Sequence, residues 1–136
     1  MRDVAYIALG SNVGDRDAHL GYARREIGRL VDTRILTASD VEETEPIGPI
    51  AQGPFLNQML AVETSLEPRA LLAAVQGIER DRGRLRVERW GPRTLDIDIV
   101  MLEHQTVADP DLTIPHPELD AREFWQRELA QVRVVP

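Results

Sequence analysis

Asp96 and Asp98 are the residues of this chain best suited to chemistry. They lie in the run Gly91-Pro92-Arg93-Thr94-Leu95-Asp96-Ile97-Asp98-Ile99-Val100. Apolar and acidic residues alternate there with a period of two, the mark of a strand. Leu95, Ile97 and Ile99 are then expected in the core, with both carboxylates on the opposite face and their Cα atoms ~6.6–7 Å apart. Two hard oxygen ligands, with no cysteine and no nearby histidine pair, suit Mg²⁺ better than zinc. The plain alternative is a solvated strand face that happens to carry two acids. Their mutual repulsion, which a cation relieves, favours the metal.

Just upstream lies Arg82-Gly83-Arg84-Leu85-Arg86-Val87-Glu88-Arg89-Trp90. Alone, a basic loop is usually just solvated surface. Beside paired aspartates it offers guanidinium forks to phosphate oxygens, the combination that suits phosphoryl transfer. His116 sits between two prolines, after the acidic strand, where a ligand role and a packing role are equally open. Arg122, six residues on, is a candidate second phosphate anchor. Gly10-Ser11-Asn12 is neither a dinucleotide fingerprint nor a Walker sequence, and reads as turn chemistry.

The rest of the chain bounds these readings. It has 136 residues, the size of one domain, with 43% hydrophobic and 29% charged residues. No apolar run approaches the ~18–20 residues of a membrane span. The first residues lack the pattern of a secretory signal, and there are no cysteines, so a cytoplasmic location is expected. The net charge is −7, and every basic residue except the histidines is arginine. Residues 80–93 hold six arginines against two acids, so the remainder is strongly acidic. Such a surface repels a polyanion, which argues against nucleic acid, while one basic loop can still capture a small anion.

The elements that must position these residues follow from periodicity. Residues 4–9 predict a buried strand. Leu20, Ala23, Ile27, Leu30 and Val31 mark the inner face of a helix. Residues 34–41 predict a strand with Ile35, Thr37, Ser39 and Val41 on one side. The Pro/Gly-rich stretch 44–54 is irregular. Residues 55–64 predict a strand with Leu56, Leu60 and Val62 facing one way and Phe55, Asn57 and Met59 the other. A helix begins at Pro68, with Leu71, Leu72, Val75 and Ile78 as its stripe. A loop over 83–92 precedes the strand 95–102. Residues 103–117 read as irregular, and a weakly helical tail packs through Leu119, Phe124, Leu129 and Val132. The order β-α-β-β-α-β predicts an α+β fold of the ferredoxin-like split βαβ type, an antiparallel sheet with helices on one face, in a single domain over 1–136.

The motifs also carry a resemblance. Ala5-Tyr6-Ile7-Ala8-Leu9-Gly10-Ser11-Asn12, Thr44-Glu45-Pro46-Ile47-Gly48, Phe55-Leu56-Asn57, Arg89-Trp90-Gly91-Pro92-Arg93-Thr94-Leu95-Asp96-Ile97-Asp98 and Leu112-Thr113-Ile114-Pro115-His116-Pro117 occur in that order. Over roughly residues 4–125 the chain closely resembles the 6-hydroxymethyl-7,8-dihydropterin pyrophosphokinases of folate biosynthesis. The resemblance implies the same ferredoxin-like fold, ATP as co-substrate, and transfer of its pyrophosphate to the pterin hydroxymethyl group with release of AMP. It implies two Mg²⁺ ions on Asp96 and Asp98. It implies pterin contacts at Thr44, Ile47 and Asn57, with Phe55 and Phe124 sandwiching the ring. Gln76, Arg84, Arg86, Trp90, Arg93, Ile99, Thr113, His116 and Arg122 match ATP-contact positions, and Glu79 a site-associated one. Arg84 and Arg93 are the expected guanidinium contacts in catalysis. The expected partners are these small molecules only, on a monomer, without nucleic acid or membrane.

Two departures stand out. Asp111 occupies a position that is often basic, and the usual apolar ending after Phe124 gives way to Trp125-Gln126-Arg127-Glu128-Leu129-Ala130-Gln131. They keep open a non-catalytic member that binds ATP or pterin as a regulator. A ferredoxin-like RNA- or metabolite-binding module is the other alternative, but it would need aromatic contacts on the sheet rather than paired aspartates.

Overall fold

A computed structural model describes residues 2–83 and 93–134; Arg84, Arg86 and Trp90 lie outside the described residues. Most of the loop expected over 83–92 is outside them too. The order is β1 (Asp3–Ser11), α1 (Arg16–Gly28), β2 (Thr33–Ala38), β3 (Glu42–Thr44), β4 (Phe55–Thr64), α2 (Pro68–Asp81), β5 (Asp96–Leu102), β6 (Val107–Asp109), β7 (Leu112–Ile114) and α3 (Glu123–Val132).

The main sheet runs β2-β4-β1-β5, with β3 paired to the first residues of β4, and every pairing is antiparallel. Each crossover helix therefore joins two strands separated by a third, which is the expected split βαβ arrangement. Side-chain alternation along β1 sorts the interior into two layers. Ala5, Ile7 and Leu9 pack with Leu20, Ala23 and Ile27 of α1 and Leu71, Val75 and Ile78 of α2. Tyr6 and Ala8 pack with Met59, Ala61 and Val100 against Trp125 and Val132 of α3. The two crossover helices share one face; α3, beyond the βαββαβ unit, covers part of the other. The two facings expected for 55–64 are those observed: Leu60 and Val62 belong to the first layer, Met59 to the second.

Local chemistry sets the element ends. Asp15 caps α1 by accepting from the Ala18 amide at 3.1 Å. Pro68 opens α2. Gly83, at φ +82, closes α2 by donating its amide to the Arg80 carbonyl at 3.0 Å.

Four expectations need correction. α1 ends at Gly28, so Val31 is off its inner face and 73% exposed. The strand expected over 34–41 ends at Ala38, and a register shift between Ile35 and Thr37 breaks its alternation, which leaves Val41 exposed. Ser39 is buried for a polar reason: its Oγ accepts from the Met59 amide at 2.8 Å. Residues 103–117 are not wholly irregular, since β6 and β7 pair there and bury Leu112 and Ile114.

Candidate active site

The site face of the sheet carries the even residues of β1. Gly10 is registered between Asp96 on one side and Asn57 on the other; Ala8 lies between Asp98 and Met59. A hydrogen and a methyl group thus occupy the floor where larger side chains would close it. A Cβ on Gly10 would meet Asn57 Oδ1 at 3.3 Å and Phe55 Cδ1 at 3.5 Å. The open space is a cleft of about 440 Å³, with Asp96 and Asp98 towards one end and Phe55 and Asn57 towards the other.

At the acidic end, Asp96 and Asp98 are both half-buried, while Ile97 and Ile99 turn into the α1/α2 layer. Glu79 of α2 is buried and accepts from the Ile97 amide at 2.7 Å, which pins the strand between the two aspartates. Arg93 is 7% exposed, with Nε 3.6 Å from Asp96 Oδ1. His116 Nε2 lies 3.8 Å from Asp98 Oδ1. Its Nδ1 accepts from the Glu118 amide at 3.1 Å, so the ring proton is assigned to Nε2, facing the aspartate. Burial pushes the His116 pKa below its usual value, with Arg122 adding to that and Glu118 opposing it, so the ring is neutral at pH 7. The ring packs edge-on against Trp125 at 4.9 Å, and the Arg122 guanidinium lies over the same indole at 4.4 Å. Glu118 fixes that guanidinium at 2.8 Å. Two carboxylates sharing a strand face and a cleft fit Mg²⁺, which takes one or two protein carboxylates and completes its shell with water and phosphate oxygens. Among the described residues no cluster of three or more His, Asp or Glu side chains with metal-holding geometry occurs.

At the other end, Asn57 donates Nδ2–H to Thr44 Oγ1 at 2.5 Å, which leaves Oδ1 over Gly10. Phe55 is registered opposite Thr44. Phe55 and Ile47 line the main cleft, whereas Phe124 lines a shallower neighbouring hollow with Thr44 and Ile47. Glu45, Ile47 and Arg122 border both, so the two phenylalanines flank a continuous boundary without sharing one wall.

The turn expected at Gly10-Ser11-Asn12 is not formed there, because Gly10 and Ser11 remain paired in β1; Asn12, just past the strand, connects these ends. Asn12 Oδ1 accepts from the Arg93 amide at 2.8 Å, and the Asn12 amide donates to the Arg93 carbonyl at 3.0 Å. Asn12 Nδ2 donates to Gln52 Oε1 at 2.8 Å and to the Gly53 carbonyl at 3.0 Å. One side chain thus holds the approach to β5 and the connection between β3 and β4.

Of the other expected residues, Gln76 and Glu79 line the cleft. The Ile99 side chain is in the core, and Thr113 is exposed on β7 with its hydroxyl on the Asp109 carbonyl at 3.3 Å. Asp111 points elsewhere: Arg69 grips it at 2.7 and 3.0 Å and also holds Asp109 at 2.9 Å, and neither Arg69 nor Asp111 borders the cleft. Those hydrogen bonds hold the Asp111 carboxyl below its usual range. Trp125 and Glu118 were not expected. The spacing of Trp125, Leu129 and Val132 marks the buried face of α3 and would have found the tryptophan. No sequence period announces Glu118, whose amide donates to the His116 ring and whose carboxylate accepts from Arg122.

The family model for 7,8-dihydro-6-hydroxymethylpterin-pyrophosphokinase (HPPK) matches residues 6–134. A 2-amino-4-hydroxy-6-hydroxymethyldihydropteridine pyrophosphokinase from Bacillus subtilis is 39% identical over 97% of this chain and 79% of its own length. One from Haemophilus influenzae is 41% identical over 88% of this chain and 75% of its own. A crystal structure of an HPPK-DHPS protein in complex with substrates superposes with a TM-score of 0.74 at 14% identity, covering 97% of this chain and 40% of that one, and so shares the fold. By its sequence match over nearly its whole length, the chain belongs to the 7,8-dihydro-6-hydroxymethylpterin-pyrophosphokinase family.

Proposed function

We propose that this protein transfers the terminal pyrophosphate of ATP to the hydroxymethyl oxygen of 6-hydroxymethyl-7,8-dihydropterin, a step of folate biosynthesis, and releases AMP. The observation that carries the reading is one cleft with paired aspartates at one end and an amide-plus-aromatic pair at the other. In the reaction the hydroxymethyl oxygen bonds to the β-phosphorus. The bond from that phosphorus to the α,β-bridging oxygen breaks, AMP leaves, and the hydroxyl proton passes to solvent.

The chain's own residues orient this displacement. Phe55 stacks on the pterin, and Asn57, fixed by Thr44, presents Oδ1 to its edge; Ile47 and Phe124 close the outer side. Asp96 and Asp98 would hold the two Mg²⁺ ions that the resemblance implies. Bound there, Mg²⁺ would neutralise the charge of the triphosphate and of the group in transfer. Arg93 supplies a guanidinium beside Asp96, and His116 and Arg122 donate from a wall stiffened by Trp125 and Glu118. Gln76 and Thr113 join the ATP side with the backbone at Ile99, and Glu79 acts by fixing β5. Arg84, Arg86 and Trp90 keep the ATP-contact roles implied by resemblance, Arg84 with Arg93 in catalysis. Most of the acceleration comes from in-line positioning and electrostatics.

We read residues 1–136 as one domain acting as a monomer in the cytoplasm. Packing of the long helices on a single sheet supports the first part. No helix among the described residues is long and apolar enough to cross a membrane. Incubation with ATP, Mg²⁺ and the hydroxymethyl pterin tests the reading: AMP and pterin pyrophosphate should appear in equal amounts. Release of ADP, or no pterin product, would overturn it.

A further inference from the structure

His19 and Tyr22 lie one turn apart on α1 and both face Arg82, the residue that ends α2. Arg82 donates Nε–H to His19 Nδ1 at 2.9 Å, and its guanidinium lies 4.6 Å over the Tyr22 ring. An arginine keeps its proton, so Nδ1 of His19 must be the lone-pair nitrogen and the ring must be neutral. The other ring nitrogen packs against the Val13–Gly14 turn, 3.3 Å from where a Gly14 Cβ would stand. Beyond Arg82 comes Gly83, and then the arginine-rich segment begins. At its far end Arg93 is held by Asn12. Both flanks of the segment are therefore tied to the same short stretch of chain between β1 and the first turns of α1.

We propose that His19 is a positioning residue: its neutral ring, with Tyr22, fixes Arg82 and so sets the direction in which the chain leaves α2 at Gly83, and protonation of the ring releases Arg82. The inference rests on the pyrophosphoryl-transfer reading above, in which Arg84 contacts the triphosphate. Protonated Nδ1 would set N–H against N–H and place two positive charges side by side, which breaks the anchor. Burial first, and then the Arg82 charge, hold the His19 pKa below its usual value. The groups that oppose them are the Val13 carbonyl and Asp15 at the α1 cap. Release therefore belongs to mildly acid solution, below about pH 6.5, the ordinary histidine value.

Three variants separate this role from a merely structural one. His19→Asn keeps an acceptor at the Nδ1 position and cannot be protonated there. His19→Phe keeps a ring and loses the acceptor. Arg82→Gln removes the guanidinium. We expect kcat of the wild type to fall on acidification, with little change in KM for the pterin. His19→Asn should retain most of the neutral-pH kcat and lose that acid limb. His19→Phe should lower kcat at every pH by about tenfold, the scale of a small misplacement in the site, with its melting temperature near wild type. An unchanged acid limb in His19→Asn, or wild-type kcat in His19→Phe, overturns the proposal. A wild type that transfers no pyrophosphate would instead overturn the functional reading. The anchor is then judged by NMR titration of the His19 ring: its pKa should rise in Arg82→Gln, and an identical pKa in the two proteins removes it.

Discussion

Glu128→Gln should stabilise this protein, and by more as the pH rises. Glu128 is 1% exposed on the inner face of α3, and neither carboxyl oxygen has a hydrogen-bond donor among the described residues. Burial, together with the neighbouring Glu42 carboxyl on β3, pushes its pKa up to about 9 from an ordinary 4.5; Arg127 opposes the shift. Between those two values the folded chain keeps a proton that the unfolded chain releases. Stability therefore declines as pH rises from about 4.5 to about 9, by about 1.4 kcal/mol per unit. Below that window both states are protonated and nothing is lost. By pH 7 the loss is on the order of 3 kcal/mol. Glutamine keeps the volume, carries no proton to lose and turns an amide N–H towards Glu42, though an imperfectly paired amide costs about 1 kcal/mol. The net gain at pH 7 is about 2 kcal/mol, or a rise in Tm of about 5–8 °C for a chain of this length. Urea unfolding of both proteins at half-unit steps from pH 5 to 8.5 measures it. The two stabilities should nearly coincide at pH 5 and diverge steadily above it. Parallel profiles would show that Glu128 does not titrate across this window and would refute the reasoning.

Three further substitutions probe the cleft. Asp98→Asn should leave the fold intact and lower turnover by about a hundredfold or more, the scale of losing one group that stabilises transition-state charge; a near-normal rate at modest Mg²⁺ would remove Asp98 from metal binding. Phe55→Ala should weaken pterin binding about tenfold in calorimetry and leave ATP binding within about twofold, because a stacked ring contacts only the heterocycle; equal losses would point to misfolding. Gly10→Ala puts a methyl 3.3 Å from Asn57 Oδ1 and 3.5 Å from Phe55. It should therefore raise the pterin Kd several-fold at unchanged Tm, and an unaltered Kd would place the ring elsewhere in the cleft.

The parts of this fold legible in the sequence are those with a sustained period. β1, β4 and β5 bury one face or both, and α1 and α2 carry apolar stripes, so alternation or three-and-four spacing reveals them. β3, β6 and β7 have three residues each, too few to establish any period. Val31 looked helical because its spacing fits, but the chain turns at Arg29 before reaching it. In the site, Asp96 and Asp98 were legible because strand alternation alone puts them on one face. The Asn12 bonds to Arg93, Gln52 and Gly53 join residues about 40 and 81 positions apart. Only tertiary packing creates them. Glu128 was hidden for the same reason: as a charged residue in an exposed-looking tail, it becomes a buried acid only when α3 lies down on the sheet.

β1 is central to the sheet, and its two faces do different jobs. Leu9 and Ile7 fill the layer under α1 and α2, while Ala8 and Gly10 floor the cleft. Adding or removing one residue within this strand would exchange the two sets. Leucine and isoleucine would then stand where the substrate sits, and the core would be left with a methyl group and a hydrogen. Folding and activity would be lost together. Length variation in this architecture must therefore fall outside β1, in connections such as 45–54, where an added residue shifts no register. Substitution is different. Replacing Gly10 by alanine meets Asn57 and Phe55 in the cleft, so it can weaken binding while the protein remains as stable as before, whereas a larger residue at Ala8 would also crowd the layer under α3. Loss of function at this strand thus comes in two kinds, separable by a melting curve alone.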